Sequence, residues 1–145
     1  MKVISVVGTK KTGKTTLACA LVASLAKHGK VGTIKNMAGH DVDQGDTRRH
    51  YNAGAEEVIG LGEARLKVTR ERGDLDSALA ELERDGMDYV VVEGFKHSSL
   101  PKIVMADIEV TNVVRNVRLA EIDPALVEEL AGIVMGMEDY SAPKA

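Results

Sequence analysis

The sequence contains no tryptophan, one phenylalanine and one cysteine among its 145 residues. A formal net charge of -3 and so few rings leave neither the basic surface nor the stacking platforms typical of nucleic-acid-binding proteins. The single cysteine, Cys19, excludes an internal disulfide and a cysteine-based zinc site, and we expect a helix to bury its side chain. No apolar run is long enough to cross a membrane, and the run at residues 3–7 is too short for a secretory signal. These absences predict a cytoplasmic protein that binds neither membranes nor nucleic acid.

The composition is that of an ordinary globular protein, with 44% hydrophobic and 28% charged residues. The length predicts one domain, to which we assign residues 1–135, and a loose tail over residues 136–145. Short apolar runs predict strands at residues 3–7, 31–35, 57–61, 65–69, 88–92, 102–105 and 112–114. Apolar residues repeated every three or four positions predict helices at residues 14–28, 46–54, 75–85 and 124–134. Strands that alternate with helices predict a three-layer α/β fold with a mainly parallel central sheet.

Helix ends are indicated by two residues. Gly29 stands where a left-handed C-cap would end the first helix. Asp123, followed by Pro124, is typical of an N-cap with proline at the first helical position, and predicts the start of the last helix.

A phosphate-binding pattern, G-x-x-x-x-G-K-[ST], is matched at every fixed position by Gly8-Thr9-Lys10-Lys11-Thr12-Gly13-Lys14-Thr15. The match lies between the first predicted strand and helix, so we expect backbone N–H groups from about Thr12 to Thr16 to contact phosphate oxygens. Lys14 is expected to reach the β- and γ-phosphates, and the Thr15 hydroxyl to bind Mg²⁺. The motif predicts a P-loop NTPase-like domain over residues 1–135. Lys10 and Lys11 are candidates to add positive charge at the mouth of its pocket, and a solvated loop lysine is the favoured interpretation for at least one of them.

Glu93 comes directly after an apolar strand and is followed by Gly94, which leaves space beside it. Ligands of open α/β sheets bind at the carboxyl ends of the strands. A carboxylate at this place is expected to hold the hydration shell of Mg²⁺ or to polarise a water molecule.

Polar residues between the second strand and the second helix are candidate ligands as well. Asp41, Asp43 and Asp46, together with His40, have the oxygen and nitrogen donors to meet a divalent cation or a second ligand, and a solvated turn is the alternative. Positive charge follows predicted strand ends on the same edge of the sheet, at Lys35, Lys96 and Lys102. These lysines predict a second anion site.

Five stretches, in this order, resemble the family of molybdopterin-guanine dinucleotide biosynthesis protein B (MobB). They are the phosphate loop with Thr15-Thr16, Thr33-Ile34-Lys35, Asp41-Val42-Asp43 through Ala53-Gly54-Ala55, Val92-Glu93-Gly94-Phe95-Lys96, and Pro101-Lys102-Ile103. The similarity covers roughly residues 1–135. Glu-Gly-Phe-Lys after an apolar strand is far more specific than the phosphate loop alone.

The resemblance implies a GTP-binding, weakly GTP-hydrolysing homodimer that assists the nucleotidyltransferase attaching GMP to molybdopterin. GTP and Mg²⁺ would be its cofactors, molybdopterin a further ligand, and the molybdenum or tungsten cofactor the product of the pathway. The sequence has no Asn-Lys-x-Asp guanine signature, so GTP as the nucleotide is implied by the resemblance alone.

A small-molecule kinase is the alternative function. Its support is the basic run at residues 65–72, because charged clamps that close over phosphates stabilise phosphoryl transfer. Leu66 and Val68, however, alternate with polar residues, which favours a half-exposed strand. A metal-delivery GTPase is a third reading, but no cluster of cysteine and histidine supports a soft-metal site.

Overall fold

A computed structural model of the chain describes residues 1–37 and 45–143. Its strands are β1 (Lys2–Val7), β2 (Val31–Lys35), β3 (Glu57–Leu61), β4 (Arg65–Thr69), β5 (Tyr89–Glu93), β6 (Lys102–Val104) and β7 (Val113–Asn116). Its helices are α1 (Lys14–Leu25), α2 (Asp46–Asn52), α3 (Leu75–Arg84) and α4 (Pro124–Met135), with a 3₁₀ turn at Leu119–Glu121. Every predicted strand and helix is present, and each bound either agrees with the prediction or differs from it by one to three residues.

The described chain divides into two compact units. The first is formed by Met1–Asn36 together with Leu75 and the residues that follow it, and the second by the described residues of Met37–Asp74. The second unit contains α2 and an antiparallel hairpin of β3 and β4, in which Glu57 pairs with Thr69.

The first unit is built on a five-stranded sheet in the order β2-β5-β1-β6-β7. All of its paired strands are parallel, which confirms the predicted sheet. The central strand, β1, has β5 on one side and β6 on the other, and Val6 lies level with both Glu93 and Ile103. The ends of β1 and β5 therefore lie side by side at the carboxyl edge.

Helices cover both faces of this sheet. Successive strand residues point to opposite sides, and in the central strands both sets are largely apolar, so each face must be buried. One face packs against α1 and α4; its buried residues are Ile4, Val6, Leu17, Leu21, Leu25, Val91, Ile103, Leu130, Ala131 and Val134. The other face packs against α3; its buried residues are Val3, Leu79, Val90, Val92 and Leu100. The three-layer α/β architecture predicted from the sequence is confirmed.

The predicted N-cap of α4 is confirmed, whereas the predicted C-cap of α1 is wrong. Asp123 Oδ1 accepts a hydrogen bond from the N–H of Leu126 at 2.8 Å. Helix α1 ends at Leu25, with Ala26 in right-handed conformation as its cap. Gly29 is required for a different reason, since a Cβ atom there would lie 2.6 Å from Oδ2 of Asp88.

Two further predictions in this unit are wrong. Cys19 is exposed, because α1 turns Leu17, Ala18 and Leu21 toward the sheet and Cys19 faces the other way. The stretch after Gly136 is not loose as far as it is described. The N–H of Tyr140 donates to the carbonyl of Met1 at 2.8 Å, and Asp139 forms an ion pair with Lys2 at 3.1 Å.

None of the helices in the described ranges has the length and apolar character needed to cross a membrane.

Candidate functional site

The loop between β1 and α1 has the strained backbone of a tight anion-binding turn. Gly13 has φ 94° and Lys11 has φ 60°, both in the left-handed region that favours glycine. The Thr12 hydroxyl donates to the carbonyl of Thr9 at 2.8 Å and closes the loop on itself. A Cβ atom on Gly8 would lie 2.6 Å from Thr12 Oγ1. Gly13 is therefore required by this backbone, and Gly8 leaves the space that the Thr12 hydroxyl occupies.

The loop leads directly into the amino end of α1. The N–H of Leu17 donates to the carbonyl of Gly13 at 3.0 Å, so the helical hydrogen bonds begin there. The N–H groups that precede Leu17 in the helix have no acceptor within it. Within the described chain, no side chain caps this end and the first turn holds no acidic residue. The positive end of the helix dipole is thus open to an anion.

Thr15 and Glu93 are brought together by the neighbouring positions of β1 and β5. The Thr15 hydroxyl donates to Glu93 Oε1 at 2.6 Å. Thr15 is exposed and Glu93 is half-buried, so this pair of oxygens faces the space beside the phosphate loop. A hydroxyl and a carboxylate are oxygen donors of the kind that a hard divalent cation takes.

Glu93 is followed by a rigid turn. Gly94 has φ 100° and Phe95 has φ 58°, two consecutive left-handed residues. The Ser5 hydroxyl donates to the carbonyl of Gly94 at 2.8 Å, and the N–H of Gly94 donates to the carbonyl of Val6 at 3.0 Å. A Cβ atom on Gly94 would lie 2.9 Å from Cβ of Asn36. The chain is therefore fixed in its course directly beyond the candidate catalytic carboxylate.

Ser5 and Asn36 were missed by the sequence analysis. Ser5 is fully buried within an otherwise apolar strand, and a lone hydroxyl in such a run is the signal that could have indicated it. Asn36 follows β2, and its N–H donates to the carbonyl of Glu93 at 2.9 Å. Nothing in the sequence pattern indicates that contact, which depends on the order of strands in the sheet.

The predicted lysines divide into two groups. Lys35 and Lys96 are exposed, and Lys35 lies level with Glu93 across the β2–β5 pair. Lys10 and Lys11 are exposed on the phosphate loop, and Lys14 is half-buried at the start of α1. These side chains are accessible at the carboxyl edge of the sheet.

Lys102 does not belong with them, and its predicted place in an exposed anion site is wrong. Its side chain is 0% exposed. The ammonium donates to the carbonyls of Ser98, Leu100 and Thr111 at 2.5, 2.8 and 2.9 Å. Burial lowers the pKa of this ammonium from its ordinary value. The side chain leaves β6 toward the sheet face covered by Leu100, so Lys102 fastens two loops instead of receiving a ligand.

The predicted acidic ligands are not assembled in the described residues. His40, Asp41 and Asp43 lie outside these residues. Asp46 begins α2 in the second unit, where its Oδ1 lies 3.8 Å from Nη1 of Arg49. In the ranges 1–37 and 45–143, no three histidine, cysteine, aspartate or glutamate side chains are grouped to hold a metal ion.

Residues 65–69 of the basic run form β4, and side chains of the run contact residues of the same unit. Lys67 Nζ lies 3.2 Å from Glu57 Oε1 across the hairpin. The Arg70 guanidinium stacks over the ring of Tyr51 at 4.1 Å and donates from Nε to the carbonyl of Ala55 at 3.0 Å. The predicted strand is confirmed, and these side chains are held by contacts within the second unit.

Comparison with known proteins gives a consistent result. The family model for molybdopterin guanine dinucleotide synthesis protein B matches residues 3–127. A putative molybdopterin-guanine dinucleotide biosynthesis adapter protein of Methanocaldococcus jannaschii is 36% identical over 114 residues, which cover 72% of this chain and 47% of that protein. The adapter protein of that name from Haemophilus influenzae is 32% identical over 115 residues, which cover 74% of this chain and 65% of that protein.

Solved structures are similar in fold. The crystal structure of MobB from Bacillus subtilis superposes with a TM-score of 0.70 at 20% identity, and the match covers 94% of this chain and all of that one. An identity this low carries the fold alone. Against the curated relatives, the chain spans about half the length of the first and about two thirds of the second.

Proposed function

Because the chain belongs to the family of molybdopterin guanine dinucleotide synthesis protein B, we propose that it binds GTP with Mg²⁺ at the phosphate loop and hydrolyses it slowly. In this proposal it is an accessory protein that acts in the cytoplasm and assists the enzyme that transfers GMP to molybdopterin. The observation that carries the proposal is the 2.6 Å hydrogen bond between Thr15 and Glu93 at the open amino end of α1.

Each residue of this site has a defined task. Backbone N–H groups at the start of α1 bind phosphate oxygens, and Lys14 adds a positive charge to them. The Thr15 hydroxyl donates its hydrogen bond to Glu93, so the lone pairs of the Thr15 oxygen stay available to a cation. Bound Mg²⁺ would supply neutralisation of the charge that develops on the transferred phosphoryl group. Glu93 orients a water molecule by accepting a hydrogen bond from it, and this places the water for attack on the γ-phosphate.

The accessory role is supported by the names of the curated relatives, which are adapter proteins of molybdopterin-guanine dinucleotide biosynthesis. In our proposal, Lys35 and Lys96 receive the terminal phosphate of a molybdopterin or the partner transferase that presents it. Both are exposed lysines at the edge of the sheet that carries the phosphate loop. As in the resemblance drawn from the sequence, we propose a homodimer.

Calorimetric titration with GTP, ATP and GDP, with and without Mg²⁺, tests the nucleotide part of the proposal. We expect GTP to bind, and its affinity to depend on Mg²⁺ more strongly than that of GDP, because the γ-phosphate shares the cation. Absence of GTP binding would overturn the proposal. Binding of ATP alone would instead favour the kinase alternative.

The accessory part has a separate test. The guanylylation of molybdopterin by the transferase is measured in a reconstituted reaction with and without this protein. We expect a faster reaction in its presence, and an unchanged rate would refute the accessory role.

A further inference from the structure

The strand ends beside the phosphate loop define where the rest of a bound nucleotide would lie. Val7, Val104 and Asn116 are level with one another across β1, β6 and β7. The next residues remain in contact, since the N–H of Met105 donates to the carbonyl of Val7 at 2.8 Å and that of Val117 to Val104 at 2.9 Å. The chain that follows β7 therefore leaves the sheet beside the phosphate loop.

Leu119, in this segment, lies directly against the phosphate loop. A Cβ atom on Gly13 would lie 2.7 Å from Cδ1 of Leu119 and 3.3 Å from Cε of Met105. Leu119 is nevertheless 52% exposed, one of the large apolar side chains that the structure leaves open to solvent. One part of the side chain thus covers Gly13, while the rest forms an apolar surface at the mouth of the phosphate site.

The two carboxylates that follow Leu119, those of Glu121 and Asp123, already accept hydrogen bonds from backbone N–H groups. Glu121 Oε1 accepts from the N–H of Arg118 at 2.9 Å and closes the 3₁₀ turn. Asp123 Oδ1 caps α4 by accepting from the N–H of Leu126. A carboxylate that reads guanine must accept its N1–H and N2–H₂ donors, and these two side chains are instead turned to their own backbone.

We propose that Leu119 is the surface on which the nucleobase of a nucleotide bound at the phosphate loop packs. The inference rests on the proposed function, since it requires a nucleotide at this loop.

Titration with GTP, ATP and inorganic tripolyphosphate, all with Mg²⁺, separates the base contact from the phosphate contact. We expect Leu119→Ala to weaken GTP and ATP about fivefold to tenfold, because burial of half a leucine side chain against the base is lost. Tripolyphosphate, which has no base, should bind the variant and the parent equally. An equal loss for all three ligands would show that Leu119 only supports the loop, and would overturn the inference, as would no loss at all.

A second variant tests the same surface by gain of selectivity, which misfolding cannot imitate. Leu119→Asp places a carboxylate acceptor where the base lies, so the preference for GTP over ATP should rise by at least about tenfold. An unchanged ratio of the two affinities would overturn the inference.

The matched controls are Val113→Ala and Val113→Asp. Val113 is 43% exposed at the amino end of β7, the end opposite to Leu119. Both controls should leave all three affinities and their ratios as in the parent. If GTP and tripolyphosphate bind the parent but neither Leu119 variant has its expected effect, this inference fails while the proposed function stands. If neither ligand binds the parent, both fail.

Discussion

Lys14 and Lys102, both in the first unit, lie beside opposite kinds of backbone group. Lys14 is beside N–H donors, and Lys102 is beside carbonyl acceptors. In residues 8–15, the amino end of α1 presents N–H groups to the outside, and Lys14 stands half-buried beside them. In the loops around Lys102, carbonyl oxygens point inward, and the ammonium donates to three of them. Within the part of the chain that the structure describes, the N–H groups beside Lys14 are left without acceptors, whereas the ammonium of Lys102 has its hydrogen bonds filled by carbonyls.

The difference shows that the role of a lysine follows from the backbone around it more than from its place in the sheet. A cation surrounded by acceptors has its hydrogen-bonding capacity filled and pays its desolvation within the fold. A cation beside N–H donors adds to their field and favours an anion. Stability should therefore depend on Lys102 and ligand binding on Lys14.

The largest expected effect is that of Lys102→Met on stability. The variant keeps the length of the side chain but leaves three carbonyls, one buried and two partly buried, without their donor, so the free energy of unfolding should fall by roughly 1–3 kcal/mol. Denaturant unfolding followed by circular dichroism measures the change.

The control for this variant is Lys96→Met, which changes an exposed lysine near the same loop. Its effect on the free energy of unfolding should stay within about 0.5 kcal/mol. Equal stability of the two variants would remove the distinction between the buried and the exposed lysine.

Lys14→Ala should have the opposite signature. Loss of a charged donor to phosphate should weaken triphosphate binding by at least about tenfold, with the free energy of unfolding nearly unchanged. Titration calorimetry and thermal unfolding of the same sample measure both quantities, and Lys30→Ala, at an exposed lysine before β2, is the control. An unchanged affinity would contradict the assignment of the phosphate loop.

Glu93→Gln tests whether the carboxylate beside the phosphate loop takes part in hydrolysis. The amide keeps the size of the side chain but is a weaker acceptor, so GTP affinity should change little while hydrolysis slows by about fivefold. Quenched single-turnover hydrolysis, with the protein in excess over GTP and above its Kd, gives the rate of the chemical step. If parent and variant hydrolyse GTP equally fast, Glu93 has no part in hydrolysis.

The smallest effect is expected for Lys35→Ala combined with Lys96→Ala. These exposed lysines should leave GTP affinity near that of the parent but lower the stimulation of guanylylation about threefold, more at low salt than at high salt. The paired control is Lys27→Ala with Lys30→Ala, two exposed lysines at the other edge of the sheet. Stimulation equal to that of the parent would show that Lys35 and Lys96 are only solvated.

The sequence predicted the fold well because its signals were local. β3 and β4 have the predicted bounds, and the apolar run ending at Glu93 forms the strand beside β1. Asp123 caps its helix as predicted, since a cap and the N–H it accepts are three residues apart. The contact of Thr15 with Glu93 was foreseeable, because both follow from strand ends at one sheet edge.

What the sequence left open depends on distant contacts. The burial of Lys102 is set by carbonyls of two separate loops, and sequence periodicity carries no information on them. Gly29 was assigned to a left-handed cap, whereas the close approach of Asp88 is what requires it. Leu119 carried no motif, and only the register of three strands brings it to Gly13.

The strand order means that the central sheet cannot form until most of the chain has been synthesised. In the sheet that the structure describes, β1 pairs with β5 and β6, and β2 pairs with β5 alone. Lys2 and Val31 both pair with Tyr89, so neither strand finds a partner until the ribosome has released that part of the chain. At about 5–20 residues per second, the apolar run of β1 waits several seconds after it emerges. During that interval β1 lacks both of the strands that flank it in the folded sheet.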